Sequence, residues 1–220
     1  MGTVRIEGIG DEIAVGTIYC LGRNYREHAR EMGAEAPSEP IVFLKPTTAL
    51  IDVGEPIVLP GFSLDIHHEV EMVVLLGREG RDIATSEAME LVVGYGVGLD
   101  LTARDVQAKA KSKGLPWAVA KGFDGSAPVS RFIRAAEVPD PQQLELSLLL
   151  NGVVRQSAST SEMIFRVDET IAWLSTIFTL MPGDLIFTGT PEGVGPIAPG
   201  DEIEIRLSDL VSAHFRVEER

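Results

Sequence analysis

The fold is decided by the stretch His67-His68-Glu69-Val70-Glu71-Met72-Val73-Val74-Leu75-Leu76. On a β-strand, residues two apart share a face, so Glu69 and Glu71 point the same way and are followed on that face by Val73 and Leu75. Apolar residues also occupy every second position on the opposite face. A strand that is apolar on both faces is a buried strand, so the sequence predicts a central strand whose carboxylates stand where the core begins.

Two carboxylates on one face at the edge of a core repel each other and lose hydration, so they need a proton, a basic partner or a cation. Asp100 adds a third carboxylate at the end of another apolar strand, Val97-Gly98-Leu99. An all-oxygen set of Glu69, Glu71 and Asp100 suits Mg²⁺ or Mn²⁺, with Ca²⁺ also possible. The alternative is an edge strand on which Glu69 and Glu71 pair with surface Lys or Arg.

Turn and cap signals divide the rest of the chain into short strands and a few helices. Predicted strands outnumber predicted helices, and neither a regular βαβ rhythm nor a Gly-rich phosphate turn is present, so we expect one β-rich α+β domain rather than a Rossmann fold. The predicted helices are Tyr25–Met32, Ser86–Val92, Thr102–Ser112 and Asp168–Leu180, and a loop is predicted over Ala34–Pro40. The predicted caps of the last three helices are Thr85 or Ser86, Thr102 and Asp168. Hairpins are predicted around Asn151-Gly152 and Ser208-Asp209.

Histidines supply two further candidates. His28 and Glu31 are three residues apart, so a helix would bring them into contact, and a carboxylate beside an imidazole fixes the tautomer that a general base needs. The alternative is a solvated pair on a surface helix. His67 and His68 are adjacent on a strand and point to opposite faces, so they cannot both bind one ion. We expect a packed or supporting histidine there.

Several basic and hydroxyl side chains adjoin apolar segments and are candidates for contact with an anion. Lys121 follows an apolar run, and Arg23 and Lys45 stand at the ends of others. The turn Thr188-Gly189-Thr190-Pro191 follows a predicted strand and can offer backbone N–H groups and hydroxyls. Each signal is weak alone, because solvated basic side chains and ordinary strand-ending turns are common.

Composition excludes some classes of partner. The chain has 220 residues and a formal net charge of −14, which opposes binding to nucleic acid and to anionic membranes. The absence of a signal-peptide pattern and of a long apolar span predicts a cytoplasmic protein. The single cysteine, Cys20, lies in an apolar run and is expected to be a buried structural thiol.

Six motifs in this order resemble the fumarylacetoacetate hydrolase superfamily, and most closely its small acylpyruvase and oxaloacetate-handling branch. The resemblance runs from about Ile18 to the end of the chain. The motifs are Gly22-Arg23-Asn24-Tyr25-x-x-His28-x-x-Glu31, Phe43-Leu44-Lys45-Pro46, His68-Glu69-Val70-Glu71, Asp100-Leu101-Thr102-Ala103-Arg104-Asp105-Val106-Gln107, Lys121-Gly122-Phe123-Asp124 and Thr188-Gly189-Thr190-Pro191.

The resemblance implies a mixed β-roll in a single catalytic domain, 1–220, which includes a short strand and lid region over about 1–40. It also implies a homodimer that binds a small 2-oxo-carboxylate. By resemblance, Mg²⁺ or Mn²⁺ is bound by Glu69, Glu71 and Asp100, and a lid carries His28 and Glu31. The remaining positions that match the family's site are a catalytic Lys121 and the substrate-binding Arg23, Gln107, Thr190 and Lys45.

The first expectation for the reaction is hydrolysis of the C–C bond of acylpyruvates through a metal-bound enolate, with a water activated by His28 and Glu31. Oxaloacetate keto–enol tautomerisation or decarboxylation is the second. Isomerisation or decarboxylation of 2-hydroxyhepta-2,4-diene-1,7-dioate in aromatic breakdown is the third. A protein of another class, which binds metal or an oxoacid without catalysis, would be expected to lack His28 or Glu31, and the sequence has both.

Overall fold

The computed structural model describes residues 2–8, 10 and 12–220. Positions 1, 9 and 11, which belong to the predicted domain and its lid region, lie outside the described residues. Strands dominate, and helices are few and short. The elements are β1 (Thr3–Arg5), β2 (Glu12–Ala14), β3 (Ile18–Gly22), α1 (Arg26–Glu31), β4 (Ile41–Lys45), β5 (Leu50–Ile51), β6 (Ile57–Val58), β7 (Ile66–His68), β8 (Val70–Leu76), α2 (Thr85–Ala88), β9 (Val92–Leu99), β10 (Thr102–Ala103), α3 (Arg104–Ser112), α4 (Ala118–Lys121), β11 (Ala127–Pro128), β12 (Ile133–Arg134), β13 (Glu145–Leu150), β14 (Val153–Ser159), α5 (Val167–Ile177), β15 (Leu185–Phe187), β16 (Gly195–Pro196), β17 (Glu202–Leu207) and β18 (Val211–Glu218).

The largest sheet has six strands in the order β12-β9-β8-β15-β3-β4. The pair β15 and β3 is parallel, whereas the other neighbours are antiparallel, so the sheet is mixed. A second sheet has five strands in the order β14-β13-β17-β18-β6, and strands of the two sheets contact each other. The expected β-rich mixed roll is therefore confirmed.

The buried strand predicted from the sequence is β8, and every one of its residues is buried. Val73 and Leu75 belong to one apolar cluster, whereas the alternate residues of β8 belong to another, larger one. The larger cluster includes side chains from the five-stranded sheet, such as Leu146 and Ile205. Strand β8 thus separates two cores, as its two apolar faces predict. Glu69 lies just before β8, and so the predicted strand is interrupted there.

Glycines on β9 explain how the smaller core packs so close to the sheet. Gly94, Gly96 and Gly98 occupy alternate positions and lie opposite β8 residues of the smaller cluster and Glu71. A Cβ on Gly98 would lie 2.9 Å from the ring of Phe187, and one on Gly96 would lie 3.2 Å from the ring of Phe132. Aromatic rings therefore occupy the space that side chains on this face of β9 would fill.

Both predicted hairpins are present. Strands β13 and β14 meet at Asn151 and Gly152, whose φ angles of 53° and 75° are those that a tight hairpin turn requires. Strands β17 and β18 meet after Ser208, which has φ 50°.

The predicted side-chain caps are wrong. Helix α3 begins after Ala103, because Thr102 pairs in β10 with β7 and its hydroxyl donates to the Asp100 carbonyl. Helix α5 begins after Arg166, which places Asp168 inside its first turn, and it ends at Ile177 rather than Leu180. Helix α2 follows Ala84, so neither Thr85 nor Ser86 precedes it. In the described part of the chain, no helix is long and apolar enough to span a membrane.

Candidate active site

Antiparallel pairing of β8 with β9 brings the three carboxylates together. In this register Val70 lies opposite Leu99. The pairing continues by one residue on each strand, because the Asp100 N–H donates to the Glu69 carbonyl at 2.9 Å. Residues opposite each other on one face have Cβ atoms about 5 Å apart, so Glu69 and Asp100 meet, with Glu71 two positions along. One oxygen from each carboxylate lies within 4.8 Å of the others, and all three side chains are buried.

Basic side chains surround two of the carboxylates. The Lys121 ammonium donates to Glu69 Oε2 at 2.8 Å and also to Asp100 Oδ2. Arg104 donates to Glu69 Oε1 from the first turn of α3. Burial alone would raise the pKa of Glu69, but the charges of Lys121, Arg104 and His28 hold this pKa below its usual range. The same carboxylates raise the pKa of Lys121 against the opposing effect of burial.

Glu71 is compensated less than Glu69, because the charge of Lys121 and one backbone N–H lower its pKa without outweighing burial. Its Oε2 accepts a hydrogen bond from the Gly189 N–H at 2.7 Å. Burial, followed by the nearby Asp100 carboxylate, raises the pKa of Glu71 well above its ordinary value. Asp100 Oδ1 lies 2.8 Å from the Lys45 ammonium, yet no donor in the described residues aims a well-formed hydrogen bond at it. A buried oxygen that accepts no well-formed hydrogen bond, beside a carboxyl group whose pKa is raised, fits a divalent cation, since three carboxylate oxygens are ligands that Mg²⁺ and Mn²⁺ prefer.

Lys45 lies behind the carboxylates. Its side chain is fully buried, and its ammonium donates to the carbonyls of Leu101, Lys121 and Ser126 and to the Ser126 hydroxyl. Lys45 does not line the cavity described next. The predicted contact of Lys45 with substrate stays a prediction. The position of the ammonium group does not favour this contact, because all of its observed partners are oxygen atoms of the protein.

Helix α1 covers a narrow cavity over the carboxylates. The predicted pair is formed, with His28 Nδ1 3.1 Å from Glu31 Oε2. His28 is 5% exposed and lines the cavity, whereas Glu31 is partly exposed and its other oxygen accepts from the Gly193 N–H at 3.1 Å. The free volume is about 30 Å³, room for about two water molecules. Helix α1 therefore packs over a small cavity, and we expect it to move when an oxoacid enters.

The Thr188–Pro191 turn forms one wall. Gly189 has φ 95°, and a Cβ there would lie 2.6 Å from Asn24 Cβ, so only glycine fits at this close approach. Asn24 fastens the turn to the chain that enters α1, because its amide donates to the Thr188 carbonyl at 2.7 Å. The hydroxyl of Thr190 lies on the cavity wall. The turn thus places a backbone donor on Glu71 and a hydroxyl beside it.

Basic side chains are also part of the cavity lining. Arg23, in the left-handed region with φ 59°, and Lys111 both line the cavity, together with Arg104. Lys111 Nζ lies 5.2 Å from the centroid of the Trp117 ring. Burial and then Arg23, Arg104 and Lys121 lower the pKa of Lys111. Within the residues that the structure describes, neither Arg23 nor Lys111 has a carboxylate within ion-pair distance.

Most of the predicted site residues therefore meet in one place. Gln107 also lines the cavity, and its side-chain oxygen accepts from Arg104 at 2.8 Å. His67 and His68 have separate partners, Asp65 and Gln156, in agreement with the opposite faces expected of them. Arg104, Lys111 and Gln156 were not predicted as site residues from the sequence. The spacing of Arg104 three residues before Gln107 was an available signal, whereas no local pattern marked the other two.

Comparison with known families gives one match that covers most of the chain. The family described as fumarylacetoacetate (FAA) hydrolase C-terminal matches residues 17–218. This span contains every candidate residue of the site.

Curated relatives and solved structures agree with that match. Oxaloacetate tautomerase FAHD1, mitochondrial, of Mus musculus is 50% identical over 200 residues, which cover 91% of this chain and 90% of the relative. The crystal structure of fumarylpyruvate hydrolase from Pseudomonas aeruginosa in complex with Mn²⁺ and pyruvate superposes with a TM-score of 0.94 at 39% identity, covering 99% and 96% of the two chains. The 2-hydroxyhepta-2,4-diene-1,7-dioate isomerase from Mycobacterium marinum has a TM-score of 0.83 at 38% identity, covering 94% and 76%.

Proposed function

Because this chain belongs to the fumarylacetoacetate hydrolase family and is an enzyme of that family, we propose that it interconverts the keto and enol forms of oxaloacetate. The observation that carries the proposal is the mixed charge of the cavity. Glu69 and Glu71, two of the three carboxylates suited to a divalent cation, line it together with Arg23 and Lys111, for which the described residues offer no ion-pair partner. A 2-oxo acid with a second carboxylate complements both groups of charges, and the tautomerase relatives of about 50% identity support oxaloacetate.

Glu69, Glu71 and Asp100 would hold the cation, either Mg²⁺ or Mn²⁺. The cation would supply a Lewis acid for the 2-oxo group, which makes the neighbouring C3 proton more acidic. Lys121 and Arg104 hold Glu69 in place, and they add positive charge on the side where the substrate's first carboxylate would lie. A net charge of −14 makes this local positive field necessary for an anionic substrate.

His28 is the proposed base. Its Nδ1 faces the Glu31 carboxylate, so in the neutral ring Nδ1 carries the hydrogen and Nε2 keeps a free lone pair. Nε2 would take the proton from C3 and deliver it to the 2-oxo oxygen to give the enol, and the reverse transfer would regenerate the keto form. Glu31 holds the ring and stabilises its charged form between the two transfers. The contact between Glu31 and the Gly193 N–H fixes this pair while α1 packs over the cavity. Proton transfer by a positioned histidine typically contributes about 10²- to 10⁴-fold in rate.

The test follows the ultraviolet absorbance of the oxaloacetate enol with and without Mg²⁺ or Mn²⁺. We expect cation-dependent acceleration, a kcat lower by about 10²-fold or more for His28→Asn, and loss of cation dependence for Glu71→Gln. Wild-type rates from both variants would contradict the assignment of base and metal site.

Recognition of the second carboxylate has its own variant. Lys111→Met should lower kcat/KM for oxaloacetate by about tenfold, which corresponds to losing about 1.4 kcal/mol of interaction with one charged group. It should leave the binding of 2-oxobutanoate, which has a methyl group in place of that carboxylate, nearly unchanged. Lys109→Met, on the same helix but outside the cavity lining, is the matched control. Equal losses for both oxoacids would contradict the dicarboxylate proposal.

Hydrolysis of acylpyruvates is the second candidate, and the structural match to fumarylpyruvate hydrolase favours it. The same His28–Glu31 pair would then activate a water for attack on the distal keto group, with Lys121 and Thr190 near the oxyanion. Cleavage of acetylpyruvate or fumarylpyruvate without effect on oxaloacetate would establish hydrolysis in place of tautomerisation.

We propose the cytoplasm as the cellular location, although the curated tautomerase relatives are named as mitochondrial. Fractionation with an antibody against the protein distinguishes the two compartments.

A further inference from the structure

Gln156 is a buried polar residue that links the two sheets beside the site. It lies on β14 in the five-stranded sheet and is 1% exposed. Its side chain reaches the start of β8 and the Thr188–Pro191 turn. Oε1 lies 3.1 Å from the Val70 backbone nitrogen and 2.9 Å from His68 Nδ1, and Nε2 lies 2.8 Å from Thr190 Oγ1 and 2.9 Å from the Pro191 carbonyl oxygen.

These four contacts leave the amide only one orientation. The Val70 N–H can only donate, so the atom facing it must be the amide oxygen. The Pro191 carbonyl can only accept, so the atom facing it must be the amide nitrogen. The contacts of the oxygen and of the nitrogen therefore determine the same amide orientation. Rotation of the amide by 180° would place two donors together and two acceptors together.

The orientation of Gln156 decides what Thr190 can do. Because Nε2 donates to Thr190 Oγ1, the hydroxyl oxygen acts as an acceptor on that side. A hydroxyl has one hydrogen of its own, which must then point elsewhere. Thr190 lines the cavity, and the described residues offer it no acceptor within the protein. Its hydrogen is therefore free for an oxygen atom of a bound substrate.

We propose that Gln156 is a positioning residue that makes Thr190 a hydrogen-bond donor into the cavity, directed at a substrate oxygen that gains negative charge in the reaction. The inference rests on the proposed function of the site and assigns a role to a residue on the other sheet. Gln156 also fixes His68. The His68 Nδ1 lies 2.9 Å from Oε1 of Gln156, and because an amide oxygen can only accept, Nδ1 carries the hydrogen of this bond.

A double-mutant cycle separates this role from a general structural one. The variants are Gln156→Met, Thr190→Val and the double variant, with Thr190→Ser as the conservative control that keeps the hydroxyl. Loss of one preorganised donor should lower kcat for oxaloacetate tautomerisation by at least about tenfold in each single variant. The double variant should stay within about threefold of Thr190→Val, because both changes remove the same hydrogen bond. Thr190→Ser should retain kcat within about threefold of wild type.

Independent effects would overturn the proposal. If the losses from Gln156→Met and Thr190→Val multiply in the double variant, Gln156 acts through something other than Thr190. A wild-type kcat for Thr190→Val would also overturn it, and that variant decides the matter if Gln156→Met does not fold. Calorimetric titration with Mn²⁺ should give wild-type affinity for every folded variant, because the three carboxylates are unchanged.

The proposal can fail separately from the proposed function. If wild type does not convert oxaloacetate, the same cycle is measured on pyruvate binding to the protein loaded with Mn²⁺. The role of Gln156 is supported, whatever the reaction, if both single variants bind pyruvate equally weakly and the double variant binds it no more weakly than they do. Unchanged pyruvate affinity in both single variants overturns it.

Discussion

A buried ammonium group such as that of Lys45 is tolerated only where oxygen atoms replace the water that it has lost. Here the replacement is complete, with three backbone carbonyls, a serine hydroxyl and the Asp100 carboxylate around one nitrogen. These partners come from the segment 100–126, which carries Asp100, α3 and Lys121. Lys45 thus joins β4 to the segment that supplies Asp100, Gln107 and Lys121 to the candidate site.

Removal of this ammonium should destabilise the whole fold. Lys45→Met removes one of the two ammonium groups beside the buried Asp100 carboxylate and leaves several carbonyls without their donor, and breaking such a buried pair costs about 3–5 kcal/mol. We expect a loss of this size in the free energy of unfolding, measured by urea denaturation. Lys109→Met, an exposed lysine, should change it by no more than about 0.5 kcal/mol. Adding Asp100→Asn to Lys45→Met should recover part of the loss, and equal stability of the Lys45 and Lys109 variants would contradict this account.

Among the structural elements, the Thr188–Pro191 turn has the tightest fit to the site. Gly189→Ala should force the turn away from Asn24 and loosen the N–H group that holds Glu71. Gly200→Ala is the matched control, because Gly200 also has a positive φ, 92°, but a Cβ there has no atom within 4 Å. Both variants carry the backbone strain of about 1–2 kcal/mol, measured by thermal unfolding.

Only the turn variant should also lose function. We expect Gly189→Ala to bind Mn²⁺ at least about tenfold more weakly, as happens when a group that orients a metal ligand is disturbed, whereas Gly200→Ala keeps wild-type affinity. If both variants bind Mn²⁺ equally well, the close approach to Asn24 does not hold Glu71 in place.

Helix α1 should be the mobile element of the site. Only His28 and Ala29 of its six residues are buried, whereas α5 buries five residues over eleven. Segments with few buried contacts open at low free-energy cost. Amide hydrogen exchange should therefore be fast in α1 and slow in α5 for the free protein. Addition of Mn²⁺ and pyruvate should slow α1 by at least about tenfold, and an unchanged rate would show that α1 does not close on the ligand.

At the scale of the whole molecule, sequence patterns predicted the elements better than their assembly. The two faces of β8, the hairpin at Asn151-Gly152 and the pair His28–Glu31 depend on neighbours in sequence, and all are present. The capping predictions at Thr102 and Asp168 were wrong because the same residues also suit a strand end or a first helical turn. Local signals do not distinguish these alternatives.

Assembly depends on contacts between residues far apart in the chain, which no local pattern reveals. The parallel pairing of β15 with β3 joins segments more than 160 residues apart. Arg104, Lys111 and Gln156 enter the site by the same kind of long-range contact. The ordered motifs of the family pointed to most of the residues that the fold brings together around the cavity.

The expected homodimer is a prediction for the molecule as a whole. Strand β4 is an edge strand of the six-stranded sheet, and Leu44 on it is 46% exposed. Val119, which is 64% exposed, lies on α4, and this helix contacts β4. Exposed apolar side chains beside a strand edge are typical of an interface. Light scattering should give about twice the chain mass of 23.8 kDa. Val119→Lys should lower the measured mass. Val154→Lys is the control and should leave the mass unchanged, because Val154 is exposed on the β13–β14 hairpin.

Cys20 gives the molecule its own reporter of unfolding. It is the single cysteine of the chain, it is fully buried on β3 between β15 and β4, and burial raises the pKa of its thiol well above the ordinary value. A thiol reagent therefore cannot react with it until the central sheet separates. The rate of labelling at this one sulfur atom measures how often the six-stranded sheet opens, with no cysteine to add or remove. Every variant discussed above can be compared on that scale in the folded state, without denaturant.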